Sequence, residues 1–214
     1  MSLIYVVLGM HRSGTSLASS LIHWAGIPMC RYDCMRGDET QPYGYYEDPG
    51  LKQVNRRILW GARGNWHNPP GYKAIIASAH KHEQEMIELL EKRCNVPVWG
   101  WKDPRTALTV TAWHNAMKRA DHIVRYVVAR RDETGVVQSL LRRNGENDVT
   151  WAKLYKTYNR RIDMFLRSVK PHFIELDFRA LVITETDKQL ERLAQFIGRE
   201  NMIDEMREHI RRPA

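Results

Sequence analysis

The stretch Leu3-Ile4-Tyr5-Val6-Val7-Leu8-Gly9-Met10-His11-Arg12-Ser13-Gly14-Thr15-Ser16 decides the fold. Its first six residues are apolar and read as a strand, and Leu17, Ala18, Leu21, Trp24 and Ala25 recur behind the loop at helical spacing. Gly26 and Pro28 mark the helix stop. Strand, glycine loop and helix in this order make a phosphate cradle: consecutive backbone N–H groups and the positive end of the helix converge on one anion, and glycine permits close approach. The spacing is Gly, four residues, Gly, as in a P-loop nucleoside triphosphatase, but Thr15 stands where that motif carries lysine. Thr15 offers a hydroxyl and an amide rather than a charge, which leaves Arg12 as the fixed cation of the loop.

Two further β-type runs lie downstream. Val96-Pro97-Val98-Trp99-Gly100-Trp101 ends in Lys102-Asp103-Pro104-Arg105-Thr106, and His122-Ile123-Val124-Arg125-Tyr126-Val127-Val128-Ala129 ends in Arg130-Arg131-Asp132. Open α/β sheets bind ligands beyond the carboxyl ends of their strands, so these three ends are expected to meet at one crevice. Helices are expected over residues 50–59, 72–92, 109–120 and 132–143, the last with Asp132 as N-cap. The longest helix carries an apolar stripe from Trp151 to Val169, residues 172–177 form a short strand, and Asp187 opens a last helix pair punctuated by Gly198. Two irregular stretches remain. One runs through 29–44 into Tyr43-Gly44-Tyr45-Tyr46-Glu47-Asp48-Pro49 and reads as a loop near a site; the other, 60–71, is broken by glycine and proline, and its Trp60 and Trp66 either wall a pocket or pack onto the core.

The 214 residues suffice for one well-buried core, and residues 1–214 are read as a single domain. A net charge of +8 suits an anionic ligand, while scattered arginines without a recognised motif argue against nucleic acid. Cys30, Cys34 and Cys94 are an odd set without a secretory leader, which predicts free thiols and a cytoplasmic, reducing setting. The first apolar run is too short to cross a membrane. His67, His80, His82 and His114 show no metal-ligand pattern, so no metal is expected.

Three features now stand together: the loop without its lysine, the segment Trp99-Gly100-Trp101-Lys102-Asp103-Pro104-Arg105-Thr106, and Arg131 followed eight residues later by Ser139. In these the chain resembles the sulfotransferases that use 3′-phosphoadenosine 5′-phosphosulfate (PAPS), from the first strand through about residue 143 and more loosely beyond. The resemblance implies a three-layer α/β fold, a short and mainly parallel sheet flanked by helices, related to that of P-loop proteins. It implies PAPS as donor and the 3′,5′-bisphosphate PAP as product, with Arg12, Ser13, Gly14, Thr15 and Ser16 gripping the 5′-phosphosulfate and Arg131 and Ser139 holding the 3′-phosphate. The physics is consistent with this, since a sulfuryl donor has no γ-phosphate for a lysine to clamp but carries a second anion.

For catalysis, Lys102 resembles the lysine of the Lys-Asp-Pro segment in tyrosylprotein sulfotransferases and is assigned to charge stabilisation, with Arg12 sharing the role. Cytosolic small-molecule sulfotransferases carry a histidine two residues after that lysine; here the position is Pro104. The segment Gly44-Tyr45-Tyr46-Glu47-Asp48 instead resembles that of bacterial members, which like the tyrosylprotein and heparan enzymes use a carboxylate, and this resemblance implies Glu47 as the base first, with Asp48 and Glu39 behind it. Capping of the helix after Pro49 is the competing role for Glu47. Asp103 and Arg105 are expected to pair with each other or with neighbours and shape their loop, with contact to an anionic substrate as the other role open to Arg105. His11 is read as a loop side chain, and Phe196-Ile197-Gly198-Arg199 is a faint match to the glycine-rich segment that closes over the cofactor in that family. The acceptor is expected to be a hydroxyl or amine of a small molecule or carbohydrate, in a cleft of Tyr43, Tyr45, Tyr46, Trp60 and Trp66. Two other readings stand beside this one: an ATP-dependent small-molecule kinase, disfavoured by Thr15 and by Arg131 with Ser139, and a non-catalytic nucleotide- or nucleic-acid-binding module.

Overall fold

A computed structural model describes residues 1–30, 44–93, 96–145 and 148–211. In chain order the elements are β1 (Leu3–Leu8), α1 (Thr15–Trp24), α2 (Pro49–Gly61), α3 (Tyr72–His80), α4 (Glu83–Glu91), β2 (Val98–Lys102) and α5 (Thr106–Arg119). There follow β3 (Ile123–Arg130), α6 (Glu133–Asn144), α7 (Asp148–Val169), β4 (Phe173–Asp177), α8 (Thr186–Ile197) and α9 (Ile203–Arg211). The four strands are parallel in the order β2-β1-β3-β4, with Leu3 opposite Val98 and Ile123, and Arg130 opposite Asp177.

The period-2 alternation of strand side chains divides β1 between two cores. Ile4, Val6 and Leu8 face one side, with Trp101, Trp113, Tyr126 and Tyr158 and the apolar stripes of α2 through α7. Tyr5 and Val7 face the other, with α1, Ile174, Leu176 and the buried residues of α8 and α9. Helices on both faces explain why β1 is an unbroken apolar run: each fully buried Val, Ile or Leu contributes roughly 1.5–3 kcal/mol. The predicted α/β layering is therefore observed. No helix among the described residues is long and apolar enough to cross a membrane.

The helix expected over 72–92 is two helices. The amides of Lys81 and His82 bond back to the carbonyls of Ser78 and Ala79, a tightened 3₁₀-type ending, and α4 restarts with Glu83 and Glu85 in its first turn, where carboxylates favour the positive helix end. Apolar spacing did not reveal the break, because Ile75, Ala79, Met86 and Leu90 reach one core across it. Asp132 caps α6, accepting from the Gly135 amide at 2.7 Å. Gly198 ends α8 with φ 65, the left-handed conformation glycine adopts without strain.

Candidate active site

The loop after β1 is shaped by close packing. A Cβ on Gly9 would lie 2.6 Å from the Thr15 side chain and 2.8 Å from the Ala129 carbonyl, and one on Gly14, at φ +87, would lie 2.4 Å from the Phe178 ring. Only glycine fits either position. Gly14 accepts the first helical bond, from the Ala18 amide, so the opening amides of α1 lack intrahelical acceptors and face the crevice end of the sheet.

Arg12 links this loop to the end of β3. Its Nε donates to the Ser139 hydroxyl on α6 at 2.8 Å, while Arg131, just beyond β3, donates to the Arg12 carbonyl at 3.2 Å. Arg131 lies over the Phe178 ring at 4.5 Å, and the Tyr155 hydroxyl donates to its carbonyl at 2.9 Å. The charge here is mostly positive. Burial lowers the pKa of the Arg12 guanidinium, and Arg143, Arg131 and Arg142 push it further down; burial likewise lowers that of Arg131, with Asp132 opposing and Arg142 assisting. Cations that destabilise one another favour an anion among them.

The second cluster sits at the end of β2. Lys102 is 1% exposed, and its Nζ donates to Glu47 Oε1 at 3.2 Å. Glu47 Oε2 lies 3.0 Å from the Lys52 ammonium and 3.6 Å from Arg105. Burial alone would raise the Glu47 pKa, but Lys102, Lys52 and Arg105 outweigh it and hold the carboxyl at about 2. Burial lowers the Lys102 pKa, with Glu47 opposing. Asp103 is fully buried and accepts from the Arg105 guanidinium at 2.7 Å, and from Asn55 at 2.8 Å. Asn55 also accepts from Thr109 and Trp113, at 2.6 and 2.8 Å. The expected pairing of Asp103 with Arg105 is observed.

The carboxylates of the 44–49 segment have separate tasks. Asp48, not Glu47, caps α2, accepting from the amides of Gly50 and Leu51 at 2.9 and 3.1 Å, and Arg93 clasps its other oxygen at 2.8 Å. Asp48 is thus committed to structure. Glu39, Tyr43, Cys34 and Cys94 lie outside the described residues.

Several readings of single residues need correction. Tyr46 is 3% exposed and belongs to the core on the α1 side, against His23, so it lines no cleft. Phe196 packs on Tyr5 and His172 and its carbonyl accepts from Arg125, which puts the 196–199 segment near the amino ends of the strands, away from the loop. His11 is a loop side chain, and a buried one. It is 8% exposed, its ring lies 4.5 Å from Trp66, and its Nε2 is buried without a hydrogen-bond partner. Burial, then Arg105, hold its pKa well below the ordinary value despite Glu47, keeping the imidazole neutral. Phe178 and Lys52 belong to no local motif, which hides them from a reading of the sequence alone.

No family model matches the chain, and no curated protein matches it in sequence. Its fold is that of solved sulfotransferase domains. One neighbour is the sulfotransferase domain from the Synechococcus PCC 7002 olefin synthase, at a TM-score of 0.56 and 19% identity, covering 92% of this chain and 73% of that one. Another is the sulfotransferase domain from the curacin biosynthetic pathway, at 0.53 and 19%, covering 92% and 74%.

Proposed function

We propose that the protein is a PAPS-dependent sulfotransferase acting on a hydroxyl or amine of a small-molecule or carbohydrate acceptor. The observation that carries this reading is the Arg12–Ser139 hydrogen bond, which joins the glycine loop to α6, with the Arg131 guanidinium held on the Arg12 carbonyl beside it. Two adjoining anion sites suit a donor with phosphate at both its 3′ and 5′ positions. The shared fold of the two sulfotransferase domains supports the same conclusion.

The residues fit such a donor: the tight turns at Gly9 and Gly14 bring backbone amides close to any anion in the loop. Residues Arg12, Ser13, Gly14, Thr15 and Ser16 hold the 5′ group, and Arg131 with Ser139 holds the 3′-phosphate. When bound, PAPS supplies an activated sulfuryl group whose leaving group is the bisphosphate. Lys102 and Arg12 stabilise developing negative charge from a site where water is scarce. Glu47 accepts the acceptor's proton. An anion that draws the Lys102 ammonium away relieves Glu47 of its strongest cationic partner and raises its proton affinity when the donor is in place. The orphan Nε2 of His11 favours a second assignment of the base within the same reaction.

Thermal shift separates the classes of reading. PAP at about 100-fold over its dissociation constant is expected to add roughly 2.7 kcal/mol of stability. Stabilisation by ATP with magnesium, and none by PAP, would sink the proposal in favour of a kinase.

A further inference from the structure

A cavity of about 420 Å³ opens beside the second cluster, between α2 and the loop that follows it. Arg105 lines it and lies 3.6 Å from Glu47, so the cavity and the Lys102–Glu47 pair share this one side chain. Its volume suits a ring-sized molecule with one substituent. The walls are of two kinds. Trp66 is a fixed aromatic wall, stacked on Trp151 at 6.1 Å and tethered through its carbonyl by the Tyr158 hydroxyl at 2.8 Å; Trp60 is 81% exposed. Arg56, Arg57 and Arg105 supply the charge, and none of the residues lining the cavity is acidic.

The two outer arginines are under-used. Arg56 is exposed and makes no ion pair or hydrogen bond among the described residues, and Arg57 bonds Glu85 through one end while its Nε is buried without a partner. Adjacent guanidinium groups match the planar oxygens of carboxylate, phosphate or sulfate better than a neutral surface does.

Resting on the sulfuryl-transfer reading, we infer that the acceptor is itself anionic: a ring or sugar that places its oxyanion on Arg56 and Arg57, its face on Trp66, and its hydroxyl or amine toward Glu47. The α2 helix sets this arrangement, because Gln53, Arg56, Arg57 and Trp60 fall on one face at helical spacing. A neutral acceptor forgoes the charge-assisted contacts with Arg56 and Arg57.

The test is calorimetry on the whole chain, with and without saturating PAP, using matched probes: 4-hydroxyphenylacetate against its methyl ester, and glucose against glucuronate and glucose 6-phosphate. At least one charged member is expected to bind tenfold or more tightly than its neutral partner, and the better of glucuronate and glucose 6-phosphate tells carboxylate from phosphate. Arg56→Gln is expected to reduce that preference several-fold and Arg56→Glu to abolish it, both with unchanged PAP affinity and unchanged thermal midpoint, since Arg56 is exposed and unpaired. Equal binding of charged and neutral members, or a preference that survives Arg56→Glu, overturns the inference. Loss of PAP binding in the unsubstituted protein, with the charge preference intact, overturns the sulfuryl-transfer reading instead and leaves the anion site standing.

Discussion

Lys102 Nζ donates to Glu47 Oε1 at 3.2 Å, joining the last residue of β2 to a loop 55 positions earlier in the chain. The pair is buried on both sides: the side chains are 2% and 10% exposed. Glu47→Gln removes the counter-ion of a buried ammonium and, on the proposed mechanism, the base. Turnover is expected to fall about 10²–10⁴-fold. PAP affinity is expected to stay within about threefold, because the amide replaces no group of the glycine loop. Steady-state rates and calorimetry on the same preparation check this, and undiminished turnover would move the base to another residue.

Ser139 has a double attachment in the proposed complex, to Arg12 now and to the 3′-phosphate when the donor binds. A charge-assisted hydrogen bond contributes roughly 1.5–3 kcal/mol, about tenfold or more in affinity. Ser139→Ala is therefore expected to weaken PAP by at least about tenfold. The loss for 5′-AMP should be smaller and arise only from a looser Arg12. Titration with both nucleotides decides it; equal losses would confine Ser139 to holding Arg12.

The pH dependence distinguishes Glu47 from His11. Glu47, held at about 2 in the ligand-free protein against its ordinary 4.5, stays ionised there through neutral and mildly acid pH, so with Glu47 as base kcat/KM for the donor, which reports the free protein, is expected to show no Glu47 limb from pH 8 down to pH 5. The His11 value is lowered from 6.5, and with His11 as base an acid limb appears below that pH and vanishes in His11→Gln. Stability carries an independent signature. The unfolded chain takes up the His11 proton first as pH falls below 6.5, so the fold loses stability there, and His11→Gln is expected to flatten that slope in denaturant titrations.

Much of the fold was legible because its signals are local. The apolar run of β1, the two glycines, the stripe on α7 and the Asp132 cap each depend on residues within a few positions of one another. The end of α3 was not legible, since apolar positions on both sides of the break serve one core. Residues 44–49 show the limit most clearly. Glu47 and Asp48 are adjacent carboxylates of similar chemistry, and the start of α2 together with Arg93 takes Asp48 for the cap and turns Glu47 toward Lys102.

The sequence by itself determined the strand, loop and helix order, the missing lysine, and which strand ends carry charge, because those properties follow from residue type and short-range spacing. Tertiary structure alone decided which charges meet. Arg12 reaches Ser139 across 127 positions, Lys102 reaches Glu47 across 55, and His11 loses its water beneath Trp66. The physical reason is that proton affinity and anion binding depend on distance and burial in three dimensions, and both are created only when the sheet aligns its strands.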